Sequence, residues 1–131
     1  MRFLLLVSLL LAGCSSPIEP FQQALDNYSA VSAEGNLRLA LTGSALHSAS
    51  QSQEFLKELG WTQLGQSKFE QTQLVGEAVV TTCLDVSGIS FIDSLGAPVA
   101  IDRGGNRLLM EIEFSKTHPP LVSQMQEVGK C

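Results

Sequence analysis

The segment RLLMEIEFS, residues 107–115, decides the fold class, because it has the clearest alternation of apolar and polar residues in the chain. In an extended strand its charged side chains point one way and four apolar side chains point the other, namely Leu108, Met110, Ile112 and Phe114. Leu109 is the one apolar residue on the polar side. This pattern predicts a strand with one buried and one solvated face, as in an antiparallel sheet covered on one side.

Further strands are predicted on either side of this segment, all of them after Trp61. The runs are rich in β-branched and aromatic residues or end at turn residues, and they are residues 64–75, 78–86, 89–92 and 121–128. Gly76-Glu77 turns the first run into the second, and residues 93–96 form another turn. The last run follows a break at His118-Pro119-Pro120 and can return as an antiparallel strand.

Before Trp61 the apolar spacing is helical, and three helices are predicted. Pro20 suits the start of the first helix, whose apolar face is Phe21, Ala24, Leu25 and Tyr28 and which ends at Gly35. Asn36 can cap a second, short helix over residues 38–41. The third covers residues 45–59 and ends at Gly60, with a loose stripe of Ala45, Ala49, Phe55, Leu56 and Leu59. Helices followed by antiparallel strands predict an α+β fold, with the N-terminal helices packed on one face of a curved sheet.

The first fourteen residues, MRFLLLVSLLLAGC, indicate where the protein resides. A single Arg precedes an apolar run of about half the roughly 20 residues that cross a bilayer. The segment resembles a bacterial lipoprotein signal peptide, since an ordinary signal peptide gives no reason for a Cys directly after Leu-Ala-Gly. The resemblance implies cleavage between Gly13 and Cys14, attachment of lipid to the Cys14 sulfur, and an extracytoplasmic protein anchored to the bacterial cell membrane.

The chain therefore divides into a signal peptide, residues 1–13, a tether, residues 14–19, and one domain, residues 20–131. Removal of 13 residues from the 131-residue chain leaves 118, which is enough for one domain. The remaining chain has 7 basic and 13 acidic residues, a net charge of −6, and it shows no basic run. Nucleic acid is therefore not an expected partner.

The two other cysteines, Cys83 and Cys131, form an even pair once Cys14 carries lipid. In an exported chain such a pair predicts a disulfide. A metal site and a reactive thiol are the alternatives, although no cluster of histidines accompanies the two cysteines. No metal and no cofactor is expected.

Several short motifs spread over most of the chain after the tether carry a family resemblance. They are Tyr28, Thr42-Gly43-Ser44-Ala45, Leu59-Gly60-Trp61, Thr82-Cys83-Leu84-Asp85-Val86-Ser87-Gly88, Asp93-Ser94-Leu95-Gly96 and Cys131. With these residues the chain resembles the nuclear transport factor two superfamily, which has a cystatin-like cone fold, and in particular its small secreted and lipid-anchored actinobacterial members. The resemblance implies a cone that can hold a pocket. Some members of the superfamily are isomerases, dehydratases or cyclases, and many others have no chemistry, so the fold alone does not decide the function.

Three residues are weak catalytic candidates. Asp85 lies beside an apolar run that can raise its pKa, as a general base requires, although a carboxylate satisfied by a turn is the simpler interpretation. His47 can donate a proton or can lie on the helix surface, and Tyr28, near Asp26, can line the mouth of a cone or pack in the core. The sequence contains no nucleophile elbow, phosphate loop or zinc-binding motif.

The expected function is therefore that of a membrane-anchored, non-enzymatic domain. It would bind a partner protein of the envelope or a small apolar ligand. An isomerase or hydratase that uses a pocket acid is the first alternative. A surface-exclusion lipoprotein encoded by a mobile element, which blocks entry of a competitor, is the second.

Overall fold

The computed structural model describes residues 17–102 and 104–131. Two helices come first and the strands follow, which confirms the predicted α+β class. The helices are α1 (Glu19–Glu34) and α2 (Gly43–Leu59), and the strands are β1 (Thr62–Leu64), β2 (Lys68–Leu74), β3 (Val79–Asp85), β4 (Ser90–Ile92), β5 (Arg107–Phe114) and β6 (Val122–Lys130). The predicted signal peptide, its cleavage site at Gly13 and Cys14, and the first part of the tether lie outside the described residues.

Helix α1 forms where the sequence predicts it. Pro20 lies in its first turn, and Gly35 ends it in the left-handed conformation with φ 86°. Leu25 is fully buried on the predicted apolar face. The ring of Phe21 packs 4.8 Å from the ring of Phe114, measured between centroids, so this face lies against the sheet.

The prediction of a second, short helix over residues 38–41 is wrong. The structure has only a 3-10 turn at Leu37–Leu39 in this segment. The backbone then pairs with β6 instead, because Val122 N donates to Ala40 O and Thr42 N donates to Val122 O, each at 2.9 Å. In this pairing Leu41 forms a parallel bridge with Val122. A helix over residues 38–41 would lose both hydrogen bonds.

Four strands form the main sheet in the order β2-β3-β5-β6, with every neighbouring pair antiparallel. Ile112 of β5 lies between Val80 of β3 and Met125 of β6. Of the predicted strand 64–75, residues 68–74 form β2, whereas Leu64 is the last residue of β1, and Gly65 with φ 79° lies between the two strands. The first of them, β1, pairs with β4 in a separate ribbon of two strands.

The core lies between the helices and one face of this curved sheet. Met110, Ile112 and Phe114 are buried there, as the alternation in residues 107–115 predicts. Glu111 and Glu113 between them are exposed on the other face. No helix within residues 17–102 and 104–131 combines the length and the hydropathy needed to cross a bilayer.

The predicted disulfide between Cys83 and Cys131 is present and joins β3 to the last residue of the chain. Cys83 is buried although it lies on the sheet face opposite the helices. Leu109, the exception in the alternation of β5, is the register partner of both Cys83 and Gly129. The apolar side chain on the solvated face therefore belongs to the small cluster around the disulfide.

The molecule has two opposite ends, which are used below to place its surfaces. The near end comprises residues 17–21, 37–39, 74–79 and 115–121, which line two adjoining grooves or flank them. The far end comprises Gly60 and the turn 93–96, where a Cβ on Gly60 would lie 3.2 Å from Ser94 Cβ. Helix α2 runs from the near end to the far end. It starts at Gly43 beside Ser123, two residues after the near-end segment 115–121, and it ends at Leu59, next to Gly60. Its 17 residues extend about 25 Å.

Candidate functional site

A cleft of about 230 Å³ lies between α1, α2 and β6. Tyr28 of α1 and Met125 of β6 face a row of small residues on α2. The lining residues are Tyr28, Ser44, Ala45, Ser48, Ala49, Ser52 and Met125. The cleft exists because Ser and Ala recur at helical spacing along one face of α2, so that this face cannot fill the space against Tyr28.

Tyr28 is held in the wall of this cleft by its ring, which packs 5.8 Å from the ring of Phe69. Burial raises the pKa of the phenol above its usual value, because desolvation disfavours the phenolate. The hydroxyl makes no hydrogen bond to any described residue. Tyr28 can therefore donate a hydrogen bond to a guest in the cleft, but it is not a base at neutral pH.

Asp85 lies at the end of β3 and away from this cleft. Its Oδ1 accepts a hydrogen bond from Ser87 N at 2.9 Å, and its carboxylate is open to solvent. The Ser87 side chain and backbone lower the pKa of the carboxyl, with smaller contributions from the Arg107 and Lys68 charges. This shift is opposite to the one considered in the sequence analysis, and it makes Asp85 a weaker base.

His47 is exposed on α2 and does not line the cleft. Asp26 is exposed on α1, where its Oδ1 accepts a hydrogen bond from Gln22 Nε2 at 3.0 Å. The three catalytic candidates therefore lie apart, and only Tyr28 faces the cleft. Acid–base catalysis of this kind needs two titratable groups that converge on one pocket, and the described residues bring no such pair together at the cleft.

A polar network between α1 and β2 has no counterpart among the sequence predictions. Thr82 is fully buried, and its hydroxyl bonds to Glu70 O at 3.1 Å and to the Thr72 hydroxyl at 2.9 Å. Gln22 donates from Nε2 to Phe69 O at 3.0 Å. These bonds surround the register shift in β2, where Gln71 has φ 54°. The network satisfies backbone groups at a β-bulge, which gives it a structural role.

Exposed apolar side chains gather at and beside the far end of the molecule. Phe55 is 59% exposed and Leu95 is 92% exposed, and Leu59 and Leu64 are also exposed. We call these four residues the far-end surface. Beside them the rings of Trp61 and Phe91 pack 6.3 Å apart. The predicted helical stripe on α2 is thus buried in its first half, at Ala45, but not at Phe55 and Leu59.

Within residues 17–102 and 104–131, no group of three or more His, Cys, Asp or Glu side chains has an arrangement that could hold a metal ion. Comparisons of the whole chain with protein-family models, with curated proteins and with solved structures find no match. The surfaces and the cleft of this molecule are therefore the basis for a functional interpretation.

Proposed function

We propose that this chain is a lipid-anchored protein of the bacterial envelope whose domain binds a partner protein through the far-end surface, without catalysing a reaction. The observation that carries the proposal is the exposure of Phe55 and Leu95 together with Leu59 and Leu64. Large apolar side chains that cluster on a small domain mark interaction sites more often than isolated exposed ones do. Phe55 and Leu59, one turn apart on α2, can supply part of the apolar centre of such an interface.

The envelope location is supported by the sequence at the start of the chain. Cys14 directly follows Leu-Ala-Gly at the end of a short apolar run, which resembles the acylation site of bacterial lipoproteins. The disulfide between Cys83 and Cys131 fits a compartment outside the reducing cytoplasm. We further propose the cystatin-like cone of the nuclear transport factor two superfamily as the fold, supported by helices packed on one face of a curved antiparallel sheet.

The cleft at Tyr28 is a poor site for a small apolar ligand, which favours a partner protein as the bound species. The cleft at Tyr28 has a volume of about 230 Å³, whereas binding sites for drug-sized molecules are about 300–1,000 Å³. Five of its seven lining residues are Ser or Ala, so it offers few large apolar contacts. Exposed apolar side chains such as Phe55 and Leu95 at the far end offer larger apolar contacts.

The anchor is tested by replacing Cys14 with Ser and fractionating cells that express the protein. We expect the wild type in the membrane fraction, because the acyl chains attached to Cys14 would hold it in the bilayer. Stable attachment takes more than one such chain. The Cys14→Ser protein should leave that fraction. Retention of the variant to the same extent, or a mature chain without lipid by mass spectrometry, would contradict the anchor.

The far-end surface is tested with the anchored protein in its native envelope. Proteins crosslinked to the wild type are compared with those crosslinked to the Phe55→Ser/Leu95→Ser variant and to Glu111→Lys, a control on the exposed face of β5. We expect one specific crosslink with the wild type and the control, and its loss in the double variant. Equal crosslinking by all three proteins would exclude this surface.

A further inference from the structure

The near end of the molecule also exposes apolar side chains, around the first turn of α1. Val75, in the turn between β2 and β3, is 56% exposed, and Leu39, in the 3-10 turn, is 58% exposed. Between them, Pro20 and Pro120 line both of the grooves that meet there. The exposed leucine and valine thus flank the point at which the chain enters the domain.

The near end carries no net charge. Its four segments contain two acidic and two basic residues, Glu19, Glu77, Arg38 and Lys116, together with His118. The net charge of −6 that remains after removal of the signal peptide is therefore located on the rest of the domain. At physiological ionic strength charges are screened over about 8 Å, so an anionic surface in contact with the near end would hardly repel charges at the far end, about 25 Å away, although Asp26 and Glu113 lie closer to it.

The covalent path from Cys14 limits which part of the domain can meet the membrane. Five Cα–Cα steps separate Cys14 from Glu19, the first residue of α1, so the path is shorter than about 20 Å. The end of the molecule where α1 begins must then stay within that distance of the acylated cysteine. The far end is separated from the near end by the length of α2.

We propose that the near end lies on the phospholipid surface that holds the protein's own anchor, with Val75 and Leu39 in the interfacial layer and the far-end surface directed away from the bilayer. This inference rests on the acylation of Cys14 in the proposed function. Apolar side chains on a charge-balanced surface add to membrane attachment when lipid chains already hold the protein there. The orientation would also leave Phe55 and Leu95 accessible to a partner protein.

The proposal is tested with the lipidated protein in phosphatidylcholine–phosphatidylglycerol vesicles whose acyl chains are brominated near the headgroup. A Trp61→Phe background removes the natural tryptophan and keeps a ring beside Phe91. Single tryptophans are then introduced as Val75→Trp or Leu39→Trp at the near end, and as Leu95→Trp at the far end for the matched control. All three positions are exposed, so the fold should tolerate each change, and circular dichroism checks this.

We expect brominated lipid to reduce the emission of the Val75→Trp and Leu39→Trp proteins about twofold, because interfacial side chains lie within about 5–10 Å of the headgroup boundary. The emission of the Leu95→Trp protein should change by less than about a tenth. Equal quenching of all three, or quenching of the Leu95→Trp protein alone, would overturn the orientation. So would the absence of quenching at both near-end positions.

The same vesicles separate this proposal from the one on which it rests. If mass spectrometry finds no lipid on the mature protein, the anchor itself fails, whatever the quenching pattern. If the protein carries lipid and floats with the vesicles but the near-end tryptophans are not quenched, the anchor holds and only the orientation is wrong.

Discussion

Ile112 occupies the centre of the sheet, fully buried between Val80 and Met125. An Ile112→Asp substitution would place a carboxylate there without a partner, at a cost of several kcal/mol against a total stability of about 5–15 kcal/mol. We expect loss of the native far-UV circular dichroism spectrum. Glu111→Lys, at the neighbouring exposed position, should keep both the spectrum and the melting temperature. A folded Ile112→Asp protein would contradict this placement of the core.

Asp85 gives the molecule a dependence of stability on pH. Its pKa is lowered in the folded state, mainly by the Ser87 hydrogen bonds, so the ionised form stabilises the fold. That contribution is present above the unfolded pKa of about 3.9 and is lost as the pH falls through the lower folded value. In urea melts we expect Asp85→Asn to be less stable than the wild type at pH 7, with the difference disappearing as the pH falls through the folded pKa of Asp85.

Glu111→Gln is the control for the removal of one negative charge from the sheet. Comparison with it separates the loss of the Ser87 hydrogen bond from the loss of one negative charge. A constant difference between Asp85→Asn and the wild type from pH 7 to pH 2 would show that the Ser87 interaction does not depend on ionisation.

At the scale of elements, Gly65 decides how β1 and β2 separate. Its φ is 79°, and a Cβ there would lie 1.9 Å from Gly88 O in the connection between β3 and β4. Gly96 has φ 81°, but a Cβ there meets nothing within 4 Å. Gly96→Ala should therefore lower the free energy of unfolding by about 1–2 kcal/mol, the cost of placing an alanine in the left-handed conformation. Gly65→Ala should lower it by clearly more, because the backbone at Gly88 must also move.

Chemical denaturation of the two alanine variants measures this difference. Equal free energies of unfolding for Gly65→Ala and Gly96→Ala would mean that the two connections do not approach closely. Because the two glycines have nearly the same φ, the difference between the variants reports the close approach of Gly65 to Gly88 O and not the conformational cost of alanine.

Helix α2 shows how one element serves two surfaces. Its first half buries Ala45 and leaves the cleft beside Tyr28, whereas its second half exposes Phe55 and Leu59. The β1–β4 ribbon at its C-terminal end is separate from the main sheet and does not cover these side chains. The apolar residues of α2 are therefore shared between the core and the far-end surface.

For the whole molecule, the disulfide closes a segment of 48 residues that includes β4, β5 and β6. The chain-entropy model assigns such a bridge about 4 kcal/mol. We expect a Cys83→Ala/Cys131→Ala protein to unfold at a much lower urea concentration than the wild type. Without reduction, Cys83 and Cys131 should not react with a thiol reagent, and labelling of either would exclude the bridge.

The sequence by itself determined the features that local chemistry controls. The alternation in β5 indicated its buried face, Pro20 and Gly35 indicated the limits of α1, and the pairing of Cys83 with Cys131 followed from their number under the prediction of export. Each of these depends on residues close together in sequence or on simple pairing, so no knowledge of the remaining fold is needed.

The tertiary structure alone decided the rest, because distant partners compete with local preference. Residues 38–41 pair with β6 instead of forming a helix, and Leu109 is explained by its position opposite Cys83. The separation of Tyr28 from His47 and Asp85 and the exposure of Phe55 also depend on how the elements pack. Periodicity shows which side of an element is apolar, but only packing determines whether another element covers it.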